Sequence, residues 1–215
     1  MTRHWNRRQA LGMLGAAATA AAVGPRLLAA ADRQRPNVLF VAVDDLNDWI
    51  GCLGGHPDTI TPNLDRLAAR GVLFTNAHCA APLCNASRAA LMTGIRPSTS
   101  GVYYNPQPWR KSPVLKKAVT LPQHFMAEGY RAIGAGKIYH GRFPDPASWN
   151  EYWPDQKKNR PADPRPGKKS LSGLNRAHFD WGPLDVPDRK MGDRQVADWA
   201  PRVIRIRDGL LEPTG

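Results

Sequence analysis

A chain of 215 residues has room for one domain, or at most two, with a real hydrophobic core. Its net charge of +12, from 30 Lys+Arg against 18 Asp+Glu, favours anionic partners. No helix-turn-helix, zinc-finger or RNP pattern accompanies that charge, which argues against a nucleic-acid-binding module. Three cysteines, Cys52, Cys79 and Cys84, are too few for a disulfide framework.

Residues 1–31 read as a targeting segment. They hold four arginines and no acid, so the rest of the chain carries +8. Arg7-Arg8 precede a short Ala-rich apolar run, Ala10 to Val23, and Ala29-Ala30-Ala31 offers small residues for cleavage. The run is well short of the ~20 residues of a membrane span. Asn6 to Gly12 resembles a twin-arginine export signal; the general secretory route is the alternative. Either sends the chain to the periplasm or outside the cell.

Val38 to Val43 is a nearly continuous apolar run, which predicts a strand buried on both faces of a parallel sheet. It ends in Asp44-Asp45. Ligands of open α/β sheets sit beyond the carboxyl ends of strands. Adjacent carboxylates there repel unless a cation lies between them, and hard oxygen donors suit Ca²⁺ or Mg²⁺. A plain polar turn is the other reading.

Thr61 to Gly71 has the punctuation of a helix: a capping threonine, Pro62 in the first turn, and Gly71 for a left-handed exit. Leu64, Leu67 and Ala68 form its apolar face. Val72 to Ala77 predicts a second strand, feeding a loop. Cys84 then stands where that loop enters a helix, and Arg88 lies one turn on, along the same side. A helix start suits an oxyanion, and a guanidinium forks onto one. Taken alone, Cys84 is a buried structural thiol as readily as a reactive one. Cys52 and Cys79 are a possible pair or two small buried fillers. Asn85-Ala86-Ser87 is formally a glycosylation sequon, discounted because it falls inside this segment.

Thr120 to Gly129 repeats the helix logic, and Tyr130 to Gly134 predicts a short strand. Gly136-Lys137-Ile138-Tyr139-His140-Gly141 follows at its carboxyl end, level with Asp44 and Asp45. Residues 141–190, rich in proline, charge and tryptophan, predict a long loop or lid. Lys157, Lys158, Arg160, Arg165, Lys168 and Lys169 crowd it as a solvated basic stretch.

The run Cys84-Asn85-Ala86-Ser87-Arg88, closed by Leu91-Met92-Thr93-Gly94, resembles the sulfatase signature Cys-x-(Pro/Ala)-Ser-Arg followed by Leu/Met-Thr-Gly. Thr61–Ala68, Gly71–Ala77 and the Gly-Lys-x-x-His pattern ending at His140 are similar to the same family. Looser likenesses at Tyr103–Asn105, Trp109-Arg110 and Phe179–Asp188 point to its iduronate-2-sulfatase branch. The resemblance implies an α/β, alkaline-phosphatase-like fold: a largely parallel sheet flanked by helices, incomplete at the C-terminus. The same resemblance implies a helix from Val196, which Pro201 is expected to break. It implies that Cys84 is oxidised to formylglycine by a maturation enzyme, and that Asp44 and Asp45, with residue 84, hold Ca²⁺ or else Mg²⁺. Arg88 and Lys137 then serve the nucleophile and the sulfate, and His140 moves or orients a proton. The implied reaction is hydrolysis of a sulfate ester on a sulfated sugar or glycosaminoglycan. Ala86, where many members carry proline, bears on which maturation enzyme acts.

The likeness ends near Ala200, which divides the chain into an export signal (1–31), the amino-terminal part of a catalytic domain (32–200) and a divergent tail (201–215) from a truncation or frameshift. Sulfatases run to about twice this length, beyond the usual ~100–200 residues per domain. The rest supplies further metal ligands, another His and another Lys. Two rival functions follow: a related phosphate or phosphonate ester hydrolase, and a non-catalytic fragment that at most binds sulfated glycans.

Overall fold

A computed structural model of the chain describes residues 35–158, 161–164, 183–207 and 210–213. The targeting segment, Arg160, Arg165, Lys168, Lys169 and the Phe179–Gly182 part of the branch likeness lie outside the described residues. Site and core belong to the unit running from Phe40 to Ile204. Among the described residues no helix is long and apolar enough to cross a membrane.

Helix α1 is Pro62–Ala68, α2 is Cys84–Thr93, and α3 is the single turn Pro97–Ser100. After them come α4, Leu121–Ala127, then strands β1, Ile133–Ala135, and β2, Glu151–Trp153. The long helix α5, Gly192–Val203, leads into β3, Ile204–Arg207, and β4, Leu210–Pro213, which pair with each other.

β1 and β2 run parallel, with Ile133 opposite Glu151, Gly134 opposite Tyr152 and Ala135 opposite Trp153. Parallel neighbours need a long crossover, and here that crossover carries Lys137 and His140. It leaves the carboxyl end of β1 through Gly136, whose φ of +78° suits glycine. Gly134 is required for contact: a Cβ there would stand 2.7 Å from the Tyr152 ring.

Sequence signals explain the well-formed helices. Thr120 and Gln123 make a complete capping box on α4, with Pro122 in its first turn. Gly129 follows with φ +84°. α2 starts from an extended Leu83 and stops at Gly94 in the left-handed region, so its terminal Thr-Gly acts as a stop. Small residues let α2 lie close to its neighbours: Ala86, Ala89 and Ala90 are buried, as is Met92.

The core joins Ala89 and Met92 to Val102, Trp109, Leu115 and Tyr139. Tyr139 stacks on Trp109 at 5.4 Å and meets Trp149 edge-on. A polar network closes one side of this core. Ser148 Oγ shares hydrogen bonds with Thr120 Oγ1 (2.7 Å) and Tyr139 OH (2.8 Å) and donates to Asp145. Asp145 receives both prongs of the Arg110 guanidinium, at 3.0 and 2.7 Å, and that group also lies over the Trp109 ring.

Several expectations are corrected. Val38–Val43 forms no strand among the described residues: it is unpaired, and Val41 is 71% exposed. Its apolar composition calls for sheet neighbours on both sides, and none of the described segments supplies them. Val72–Ala77 is likewise exposed loop. Helix α1 ends at Ala68 with its cap in the right-handed region, so Gly71 is no left-handed exit. Thr61 caps through no N-terminal amide of α1; its hydroxyl accepts from Gly51 N–H at 2.8 Å and donates to Asp65. Leu67 remains exposed, while Leu64 and Ala68 are half-buried. The strand predicted over 130–134 forms a little later, at 133–135. Helix α5 starts earlier than expected and passes through Pro201, where only Arg202 and Val203 follow, so the lost N–H bond falls in the last turn. All three cysteines are free; Cys79 is exposed and Cys52 half-buried, so neither a pair nor buried fillers describes them.

Candidate active site

Three distant segments meet at one carboxylate. Arg88 Nη2 lies 2.8 Å from Asp44 Oδ1, and Lys137 Nζ lies 2.8 Å from Asp44 Oδ2. Lys137 Nζ also reaches Cys84 Sγ at 3.6 Å. Cys84 is the first residue of α2 and Arg88 stands one turn along it, so helical geometry alone sets them on one side. The tertiary fold adds Asp44 from the turn after the apolar run, and Lys137 from the crossover after β1.

Charge explains how Asp44 behaves. Partial burial pushes its pKa up, but the Lys137 hydrogen bond, and then the charges of Arg88 and Lys137, outweigh this and hold it below the usual carboxylate value. The Arg88 side chain is only 11% exposed. Its other prong, Nη1, donates to the carbonyls of Lys137 and Ile138, the latter at 3.1 Å. Arg88 thus ties α2 both to Asp44 and to the crossover.

His140 and Asp45 stand apart from this contact set. The His140 ring lies against Phe143, and its Nδ1 is buried without a hydrogen-bond partner among the described residues. Burial, then the positive charges of Lys137, Arg142 and Arg88, lower its pKa. Its link to the cluster is therefore electrostatic, and the ring is neutral at pH 7. Asp45 adopts a left-handed φ of +53°, tolerable for aspartate, and makes no ion pair among the described residues. Of the predicted residues, Asp44, Cys84, Arg88 and Lys137 are thus in contact, and Asp45 and His140 flank them.

Two anchoring roles were not read from the sequence. Asn85 is 1% exposed; its amide donates to the carbonyls of Tyr104 (3.0 Å) and Gln107 (2.7 Å), and its backbone N–H donates to Asn105 Oδ1. That engagement leaves no amide free for a glycan, in keeping with discounting the sequon. Tyr152 reaches under the Lys137 turn from β2. One polar residue inside a run of small ones was the only signal for Asn85, and nothing in the sequence marked Tyr152.

Asp44 and Asp45 offer the hard oxygen donors that a divalent cation such as Ca²⁺ prefers, but Ca²⁺ takes six to eight. No group of three or more His, Cys, Asp or Glu among the described residues could hold a metal. Both Asp44 oxygens already face cationic side chains. The donors present fit part of such a site and do not complete one.

Comparison with known proteins bears on the chemistry. The sulfatase family profile matches residues 36–185, a domain of alkaline-phosphatase-like α/β fold. A sulfatase of Formosa agariphila is 41% identical over 178 residues, covering 77% of this chain and 35% of its own length. Human iduronate 2-sulfatase is 31% identical over 176 residues, covering 78% of this chain and 31% of its own. Bovine arylsulfatase A is 42% identical over 115 residues, 52% of this chain and 22% of its own. The chain spans about a third of the length of the first two relatives.

Proposed function

Because the chain belongs to the sulfatase family, we propose that residues 32–200 form part of a catalytic domain that hydrolyses the sulfate ester of a sulfated sugar, iduronate-2-sulfatase-like in substrate class. Residues 1–31 direct it to the periplasm or outside the cell, by the twin-arginine or the general secretory route. A formylglycine-generating enzyme oxidises Cys84. The observation that carries this reading is the meeting of Lys137 with both Cys84 and Asp44.

Formylglycine at position 84 supplies a hydrated aldehyde, two hydroxyls on one carbon: one to attack sulfur, the other to let sulfate leave. Lys137 Nζ, beside residue 84, stabilises the attacking oxygen and the negative charge that develops on the sulfate. Arg88 holds the lysine's backbone and Asp44 in register, and its guanidinium adds positive charge to the anion's seat. His140, its pKa lowered by burial and by the charges of Lys137, Arg142 and Arg88, would help move a proton. Asp44 and Asp45, with residue 84, would share in holding Ca²⁺, or Mg²⁺ in its place. Such a cation would neutralise sulfate oxygens, and Asp44 and Asp45 would make only part of its oxygen shell.

The test is co-expression with a formylglycine-generating enzyme, mass spectrometry of the peptide bearing residue 84, and assay with aryl sulfate beside aryl phosphonate. Conversion of Cys84 and preference for the sulfate are expected. A thiol that survives co-expression, or preference for the phosphonate, overturns the reading.

A second reading, a glycan-binding fragment without turnover, is favoured by the incomplete metal donor set and the unpaired Val38–Val43 run. Calcium affinity weaker than ~1 mM, the low end of known protein sites, together with absent turnover, selects it.

A further inference from the structure

We infer that Tyr152 is a positioning residue for Lys137: its hydroxyl grips the Gly136–Ile138 turn from β2 while Arg88 grips it from α2. The inference rests on the proposed role of Lys137 beside residue 84. Tyr152 OH accepts the N–H of Ile138 at 3.3 Å and donates to the carbonyl of Gly136. Arg88 Nη1 donates to the next two carbonyls, those of Lys137 and Ile138. The peptide units on either side of the Lys137 Cα are therefore held by two side chains from different elements.

The phenol is itself well seated. Its ring lies over Gly134, where any side chain would collide with it, and meets Trp149 edge-on at 5.3 Å. Burial pushes its pKa up to about 12, so the hydroxyl keeps its proton and serves as donor and acceptor at once. A phenylalanine would fill the same space and pack on the same partners. The hydroxyl adds only the hold on the turn, and that turn sets where a long, rotatable lysine can deliver its ammonium.

The test uses the whole chain expressed without a maturation enzyme, so that Cys84 is a thiol. Formaldehyde joins an amine to a neighbouring thiol: the amine adds to the carbonyl carbon, water leaves, and sulfur bonds to the same carbon, giving an N–CH₂–S bridge. Peptide mass spectrometry reads the bridge between Lys137 and Cys84, with Lys137→Arg and Cys84→Ser as blanks. Tyr152→Phe is expected to keep the fold by circular dichroism and to lower bridge yield on the order of tenfold, the scale of a misplaced reactive group. 4-Aminophenylalanine at position 152, which restores a donor and acceptor at that place, is expected to recover it; a role in packing alone gives no such recovery. In matured enzyme, Tyr152→Phe is expected to lower kcat about tenfold with KM within about twofold.

Bridge yield unchanged by Tyr152→Phe, no recovery by the amino analogue, or no bridge in the unaltered chain overturns the inference. Tyr152-dependent bridging without sulfate turnover after maturation removes the functional reading and leaves the clamp standing. Turnover and bridging that both ignore Tyr152→Phe remove the clamp and leave the function.

Discussion

Lys137 Nζ stands 3.6 Å from Cys84 Sγ, although 53 residues separate them in the chain. The same ammonium is 2.8 Å from Asp44. A cation shared between a carboxylate and a thiol-bearing helix start links the turn before α1, the first residue of α2 and the crossover after β1.

Arg88→Lys tests the bidentate geometry. One ammonium cannot reach Asp44 and two carbonyls together. In matured enzyme, kcat/KM is expected to fall by ~10²-fold, the scale of one lost oxyanion-stabilising group. The thermal midpoint should drop as well, because two half-buried carbonyls lose their donor. Steady-state kinetics and a melting curve check both.

Asn85→Ala is expected to destabilise the fold by about 2 kcal/mol, since it strands two carbonyls and leaves a small void at a nearly sealed site. The shift in urea midpoint, at unchanged slope, measures it. Unchanged stability would mean that the 104–107 loop does not anchor the start of α2.

Two ion pairs should differ in consequence. Asp145→Ala abandons the Arg110 guanidinium beside the core and is expected to cost about 3 kcal/mol. Glu151→Ala, which unpairs the exposed Arg131, is expected to cost less than about 1 kcal/mol. Paired denaturation curves give the comparison.

His140 should titrate below 6.5. A histidine whose pKa is depressed by folding contributes stability above the unfolded value near 6.5, and that contribution is lost as pH falls through the folded value. The difference in stability between the natural chain and His140→Gln should therefore be flat above pH ~7 and shrink on acidification. Proton NMR of the ring gives the midpoint directly.

Asp44 has the same sign at lower pH. Its folded pKa lies below the model-compound value, so its ion pairs hold above pH ~4 and fade as pH falls further. Because the carboxylate is nearly half exposed, the stability involved is at most about 1 kcal/mol. Natural chain and Asp44→Asn should converge in stability once the pH has fallen through the lowered folded value.

Local chemistry made much of this legible from residues alone. The threonine cap, early proline and closing glycine of Thr120 to Gly129, and the one-turn spacing of Cys84 and Arg88, act over a few residues, so their reading needs no partner. The Cys84–Gly94 pattern likewise named the family that the comparisons show. Strands were harder. The run Val38–Val43 has strand composition, but a strand exists only where another backbone meets its N–H and C=O groups, and none of the described residues does so. Tertiary packing alone brought Lys137 to Asp44, turned His140 away from direct contact, and set Tyr152 against Gly134 beneath the lysine turn. Those contacts join residues up to 93 apart in the chain, and no periodicity reports on distances closed by folding.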